Sequence, residues 1–170
     1  MAATRIMTKH VGIGQTVAQM LARSIAYGEN PNKTEQGELV TTYACDPYTA
    51  DAEFLLSKRQ YKAITGREPG NDVIIYQVRQ SFKPGEITPE EANKVGYEFA
   101  ERFLHGKHAF IVCTHTDKKH IHNHIYWNAI TLDCTHKFRD FLGSGRAVAR
   151  LSDTICIEHH LSVIANPKRG

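Results

Sequence analysis

Two short apolar runs, Ala109 to His115 and His122 to Thr131, are separated by a polar stretch too short to hold a helix. Strands joined that tightly pair as an antiparallel hairpin, because a parallel pair needs a long crossover. The hairpin also carries an unusual load of imidazole. Of the ten histidines in the chain, six lie between His105 and His124. On a strand the side chains alternate between faces, so His120, His122 and His124 share one face wherever the strand is regular.

The rest of the chain supplies partners for this hairpin. Thr4 to Lys9, Leu39 to Cys45 and Val73 to Phe82 read as strands from their β-branched and aromatic residues. Gln15 to Ala26 reads as a helix, with Val17, Met20, Leu21 and Ile25 on one stripe, and Thr49 to Ile64 reads as a second. Gly66 to Asn71 is expected to be a loop carrying Pro69-Gly70. Thr88-Pro89-Glu90-Glu91 combines a capping hydroxyl, a proline in the first turn and a carboxylate three residues on, so a helix is expected from there to about Leu104. Gly145 to about His160 reads as a final helix. The order β-α-β-α-β-α-β-β-α predicts an α+β sandwich: a mostly antiparallel central sheet with helices packed on a face.

At 170 residues the chain is expected to be one domain, residues 1–165, with a basic tail at 166–170 that includes Lys168 and Arg169. The abrupt ending suggests an N-terminal domain cut from a longer protein. No run approaches the roughly 20 apolar residues of a membrane span, and Met1 to His10 lacks a secretory apolar core, so a cytoplasmic location is expected. The four cysteines form no C-x-x-C pair and are expected as free thiols, with Cys113 in the core. The net charge of +3 says little about partners, but Lys118, Lys119, Lys137, Arg139, Arg146 and Arg150 cluster on and after the hairpin.

Successive histidines on one face of a strand stand about 7 Å apart at Cα, and His120 and His124 about 13 Å. Adjacent members can share an ion; the outer two cannot easily do so. A further ligand has to come from the neighbouring strand, which offers His115. With a loop of 116–121 His115 faces His122, and with a loop of 116–119 it faces His120; periodicity leaves both registers open. An all-imidazole set with an open side favours a catalytic ion over a structural one. Imidazole suits Zn, Mn, Co, Ni and Fe alike. His105 and His108, ahead of the strand, are expected to be ordinary surface residues.

His115-x-Asp117-x4-His122-x-His124-x3-Asn128 resembles the third motif of conjugative relaxases, the HUH endonucleases of plasmids and integrative elements, in the branch with VirD2-type and mobilisation-protein relaxases. Tyr27-Gly28-Glu29-Asn30-Pro31-Asn32-Lys33-Thr34 is similar to the first motif, and Gln80-Ser81-Phe82-Lys83-Pro84-Gly85-Glu86 to the segment between them. The likeness runs from about Tyr27 to Val163. Two positions depart from it: Ala26 stands where relatives often carry an acid, and Tyr76-Gln77 where they often carry histidine.

The resemblance implies a metal site of His115, His122 and His124, with His120 as a neighbour or alternate and Asn128 in a hydrogen-bonding role. It implies a divalent ion, Mn or Mg in use, with Zn, Co or Ni able to substitute. Tyr27 is the implied nucleophile and Tyr43 the alternative; Asp117 would orient a histidine or accept the tyrosine proton. Lys33, Lys118, Lys119, Arg146 and Arg150 would contact phosphates, and Trp127 could stack a base. The implied activity is nicking and rejoining of one DNA strand at a transfer origin, through a 5′-phosphotyrosine. Its substrate would be single-stranded or hairpin DNA in a bacterial cytoplasm, with accessory relaxosome proteins and a coupling protein as further partners. Rolling-circle initiators and single-tyrosine transposases share the histidine motif but place the tyrosine after it, and here no tyrosine follows Tyr126. A non-catalytic, metal-dependent DNA-binding module is the alternative of a different class.

Overall fold

A computed structural model describes residues 3–68, 73–139 and 142–164. The expected element order is present: β1 (Ala3–Lys9), α1 (Val17–Gly28), β2 (Val40–Tyr43), α2 (Ala50–Thr65), β3 (Ile75–Ser81), α3 (Pro89–Leu104), β4 (Phe110–His115), β5 (His122–Asn128) and α4 (Ser144–Glu158). The strands form one sheet in the order β1-β3-β5-β4-β2, with every neighbouring pair antiparallel. Residues 69–71 of the expected loop and the tail at 166–170 lie outside the described residues.

Local signals set the helix starts. Thr16 accepts from the backbone of Gln19 while the Gln19 side chain accepts from the backbone of Thr16, a reciprocal cap. Thr88 caps α3 through the Glu91 amide, with Pro89 in the first turn and Glu90 and Glu91 at the positive end of the helix dipole.

The helices divide between both faces of the sheet, two on each, where the sequence suggested packing on a face. α3 and α4 cover one face through Val95, Phe99, Val148 and Ile155, against Tyr76, Val78, Val112, Ile125 and Trp127. α1 and α2 cover part of the other through Met20, Leu21, Ile25 and Phe54, against Ile75, Ile111, Cys113 and Tyr126. Alternation along β5 therefore sends His122, His124 and Tyr126 to the α1–α2 side, and Asn123, Ile125 and Trp127 to the α3–α4 side. Trp127 and Tyr126 are both buried, one on each side of the sheet. Trp127 stacks on Tyr76 (centroids 5.5 Å, planes 8° apart) and meets Phe138 edge-on, so it is not free to stack a base. Burying aromatics of this size contributes about 1.5–3 kcal/mol each.

A buried polar network interrupts the α3–α4 face directly behind the histidines. The Asn123 amide donates to Gln80 Oε1 (3.0 Å) and to the Ala92 carbonyl (2.7 Å), and accepts from the Thr114 hydroxyl (2.6 Å). Asn93 donates to Thr114 Oγ1 and the Leu39 carbonyl and accepts from Thr41, while Gln80 donates to Ser152. Groups from β2, β3, β4, β5, α3 and α4 are thus held by directional bonds at one end of the sheet. Gly96 permits this, because a Cβ there would sit 2.6 Å from Asn123 Nδ2. A one-residue slip would send every side chain to the other face, so apolar burial already specifies the register, and these directional bonds add to it.

Candidate metal centre

The hairpin register is the first of the two the sequence left open. His115 pairs with His122, and Cys113 with His124. His115, His122 and His124 converge on the α1–α2 side, with one potential ligand atom from each lying within 4.8 Å of the others. Their ring centroids are 4.1 Å (His115–His124), 5.0 Å (His122–His124) and 5.2 Å (His115–His122) apart.

Each imidazole is fixed by one nitrogen. His115 Nε2 donates to the Gly28 carbonyl (2.8 Å), His122 Nδ1 to the His120 carbonyl (3.1 Å), and His124 Nδ1 lies 2.7 Å from the Gln77 side-chain amide. The opposite nitrogens, His115 Nδ1 and His124 Nε2, are buried with no partner. Buried nitrogens are rarely left unbonded, and metal-binding imidazoles are characteristically held by their outer nitrogen. The donor set therefore fits a divalent metal ion. Electrostatics agree. Burial lowers the proton affinity of all three, and for His124 burial together with the neighbouring His115 and His122 takes the pKa down to about 2. The triad stays neutral: the inner nitrogens of His115 and His122 keep their lone pairs, and His124 Nε2 has one when the Gln77 side chain turns its oxygen rather than its nitrogen toward Nδ1.

His120 contributes its backbone carbonyl and exposes its ring; it is not part of the cluster. Asn128, four residues beyond His124, accepts from the Ile130 amide and closes the turn after β5. His108 is the clear correction among the histidines. It is buried, not on the surface, with Nδ1 donating to the Asn128 carbonyl (2.7 Å) and its ring edge-on to Phe138. His105 ends α3 in the left-handed region (φ 54°) and is exposed. Gln77 was noted in sequence only as a departure, and its contact with His124 could not be read before β3 was known to neighbour β5.

Tyr27 sits in the last turn of α1 and is 50% exposed. Its ring stands edge-on to His115 (5.9 Å) and His124 (5.7 Å). The following Asn-Pro-x-Lys-Thr string folds back on itself. The Asn30 carbonyl accepts from Lys33, Thr34 and the Thr34 hydroxyl, and its side chain accepts from Asn32. This loop swings Lys33 over the Tyr27 ring, with Nζ 4.5 Å from the centroid and 3.7 Å from Asp117 Oδ2. The expected histidine-orienting bond from Asp117 is absent among the described residues; its partner is Lys33. Gly28 admits the arrangement, since a Cβ there would lie 2.4 Å from the Tyr126 ring.

Tyr43 is removed from the site. It pairs with Phe110 at the far end of β4, stacks on that ring on the opposite face, and donates to the Gly106 carbonyl. Lys118 and Lys119 lie exposed in the loop of 116–121 beside the triad. Arg146 and Arg150 are exposed on α4, which packs on the other face of the sheet, so the structure does not bring them to the histidines.

A five-stranded antiparallel sheet bearing three converging imidazoles, with a half-exposed tyrosine over them, defines an α+β domain with a candidate metal centre. The family model for "Relaxase: MobA/VirD2-like, nuclease domain" matches residues 27–161, and the chain belongs to that family. It is 38% identical over 142 residues to a protein rlx of Staphylococcus aureus, covering 84% of this chain and 41% of that protein. It is 30% identical over 132 residues to the group II intron-interrupted relaxase LtrB of Lactococcus lactis subsp. cremoris (strain MG1363), covering 66% of this chain and 23% of that one. The chain thus spans less than half the length of these relatives. In fold it is similar to a solved structure described under "Molecular Basis of Vancomycin Resistance Transfer in Staphylococcus aureus", with a TM-score of 0.56, 14% identity and coverage of 99% and 100% of the two chains. No helix among the described residues is long and apolar enough to cross a membrane.

Proposed function

We propose that this domain nicks and rejoins one strand of DNA at the transfer origin of a mobile element, with Tyr27 as nucleophile and a divalent ion on His115, His122 and His124. The reading rests chiefly on one observation: an accessible tyrosine stands edge-on to two of three converging histidines whose inner nitrogens are otherwise unsatisfied.

A phosphodiester is anionic and repels nucleophiles, and a phenol attacks well only as its proton leaves. The ion, when bound, would screen the scissile phosphate and stabilise charge on its oxygens. Tyr27 Oη forms the new bond to phosphorus and the bond from phosphorus to the 3′-oxygen breaks. The phenolic proton passes to Asp117 or to water, and the leaving 3′-oxygen takes up a proton. Lys33 holds Asp117 in place and lies over the tyrosine ring, limiting its swing. One phosphodiester replaces another, so the freed 3′-hydroxyl can reverse the step.

The test incubates the protein with single-stranded origin DNA of its element and Mn²⁺ or Mg²⁺. A covalent adduct, mapped to Tyr27 by mass spectrometry and abolished in Tyr27→Phe while DNA binding persists, is the expected result. Unchanged nicking by Tyr27→Phe sinks the assignment. Binding without cleavage by the wild type, with either ion, would favour the non-catalytic module.

A further inference from the structure

One basic feature of the sheet lies outside every motif in the sequence. On the face that carries the triad, Arg5 of β1 stands opposite Arg79 of β3, and Arg79 stands opposite His124 of β5. The three side chains form one row across the sheet, with neighbouring strands about 4.8 Å apart. Both arginines are exposed. Helices α1 and α2 pack over Ile75, Ile111 and Tyr126, farther along the same strands, and leave this end of the β1–β3 surface open.

Like charges placed directly opposite in an antiparallel pair repel and lower stability. A fold relieves that with a carboxylate between them, yet no ion pair involves either arginine among the described residues. Arg102, by contrast, has Glu98 and Glu158 within reach. The repulsion is relieved when an anion is shared between the two guanidinium groups, and their planar forks suit phosphate oxygens.

We infer that Arg5 and Arg79 form a phosphate clamp, which holds the backbone of the single strand flanking the scissile bond and leads it from the metal centre out over the β1 edge. This deepens the proposed function and rests on that reading for its substrate class. It assigns the strand's path to the β1 side of the triad, on residues outside the recognised motifs. Contacts of this kind fix register and orientation without reading bases, so the clamp is indifferent to sequence. Lys33 lies on the β4 side, where its carbonyl accepts from the Thr116 amide, and Lys118 and Lys119 stand in the β4–β5 loop, so the bound strand crosses the triad between basic groups.

The test measures binding of the whole protein to fluorescein-labelled oligothymidylate by anisotropy over a series of NaCl concentrations. For single strands the slope of log K against log salt is about 0.7 for each phosphate neutralised. Arg5→Ala and Arg79→Ala should each flatten the slope by about 0.7 and weaken binding at low salt, and the double variant should lose about 1.4. Arg79→Lys should retain most of the slope. Arg102→Ala, a paired arginine on the other face, should keep the wild-type slope. A double Arg5→Ala, Arg79→Ala variant with wild-type slope and affinity overturns the clamp. Zinc titration of the same variant, with wild-type stoichiometry expected, shows that the triad is intact, so a flattened slope cannot come from general unfolding. Because the readout is equilibrium binding, it can fail while Tyr27 still forms its adduct, and it can succeed where no adduct forms.

Discussion

At the histidine end of the sheet, the two faces of β5 are built on opposite principles. On the α3–α4 side, the Asn123 amide has both ends bonded, and its side-chain partners Thr114 and Gln80 are bonded in turn, to Asn93 and Ser152. On the α1–α2 side, one residue on from Thr114 and from Asn123, His115 and His124 each keep a buried nitrogen with no partner. An unmade bond in a buried site costs about 1–3 kcal/mol. The rear face therefore supplies stability and register, while the front face gives some up to hold a constellation that only a ligand completes. The contrast separates residues that fold the domain from residues that equip it.

The largest expected effect lies on the rear face. Trp127→Ala should lower unfolding stability by about 3–5 kcal/mol, measured by urea denaturation. His124→Leu, on the front, removes one unpaired nitrogen but strands the Gln77 amide, so the metal-free protein should lose no more than about 1–3 kcal/mol, while zinc binding by calorimetry is lost. If His124→Leu unfolds the protein as severely as Trp127→Ala, the contrast between the faces collapses.

Asn123→Leu probes the boundary between them. It strands the Gln80 amide and the Thr114 hydroxyl, at about 1–3 kcal/mol for each group left unpaired. Because those groups fix β3, β4 and β5 at the histidine end, zinc affinity should fall with stability, although Asn123 touches no metal. A stability loss with unchanged zinc affinity would confine the network to folding alone.

Gly28→Ala works from the front. The new methyl would meet the Tyr126 ring at 2.4 Å, pushing the Gly28 carbonyl off His115. Loss of such an orienting partner typically costs about tenfold or more in metal affinity. Zinc affinity near the wild type would mean that His115 is held by its strand and not by the carbonyl.

What the sequence disclosed and what it withheld follow the same division. The hairpin, the alternation of its histidines and the cap at Thr88 depend on neighbours within a few residues, and all were legible. So was Tyr27, through the motif around it. The register was not, because a loop of four and a loop of six both satisfy periodicity; the choice is fixed by Thr114 meeting Asn123 across the strands. His108 was misplaced for a similar reason. Its burial depends on Phe138 and the Asn128 carbonyl, both reached only by the tertiary fold. Arg79 looked like an ordinary strand residue and Gln77 only like a departure from the relatives until β3 was found beside β5, and Trp127 lost its expected role once alternation was given a direction. Arg146 and Arg150 were close to the motif in number and far from it in space.

The smallest expected effect concerns the carboxylate beside the front face. Glu29 follows Gly28, and burial, reinforced by Asp51 and Asp46, raises its pKa from 4.5 to about 7. Its Oε1 is buried without a partner. The folded state therefore binds a proton that the unfolded chain has released between those two values. That contribution is complete below about pH 4.5 and is lost as pH rises through about 7. Glu29→Gln keeps the shape and removes the ionisation. It should raise stability by about 1 kcal/mol at pH 8, a figure reduced for the partial solvent access of the group, and should change little at pH 5. Thermal melts of both proteins at the two pH values give the comparison. An advantage for Glu29→Gln of equal size at both values would trace it to packing instead of charge, and would limit the electrostatic strain of the front layer to the histidines themselves.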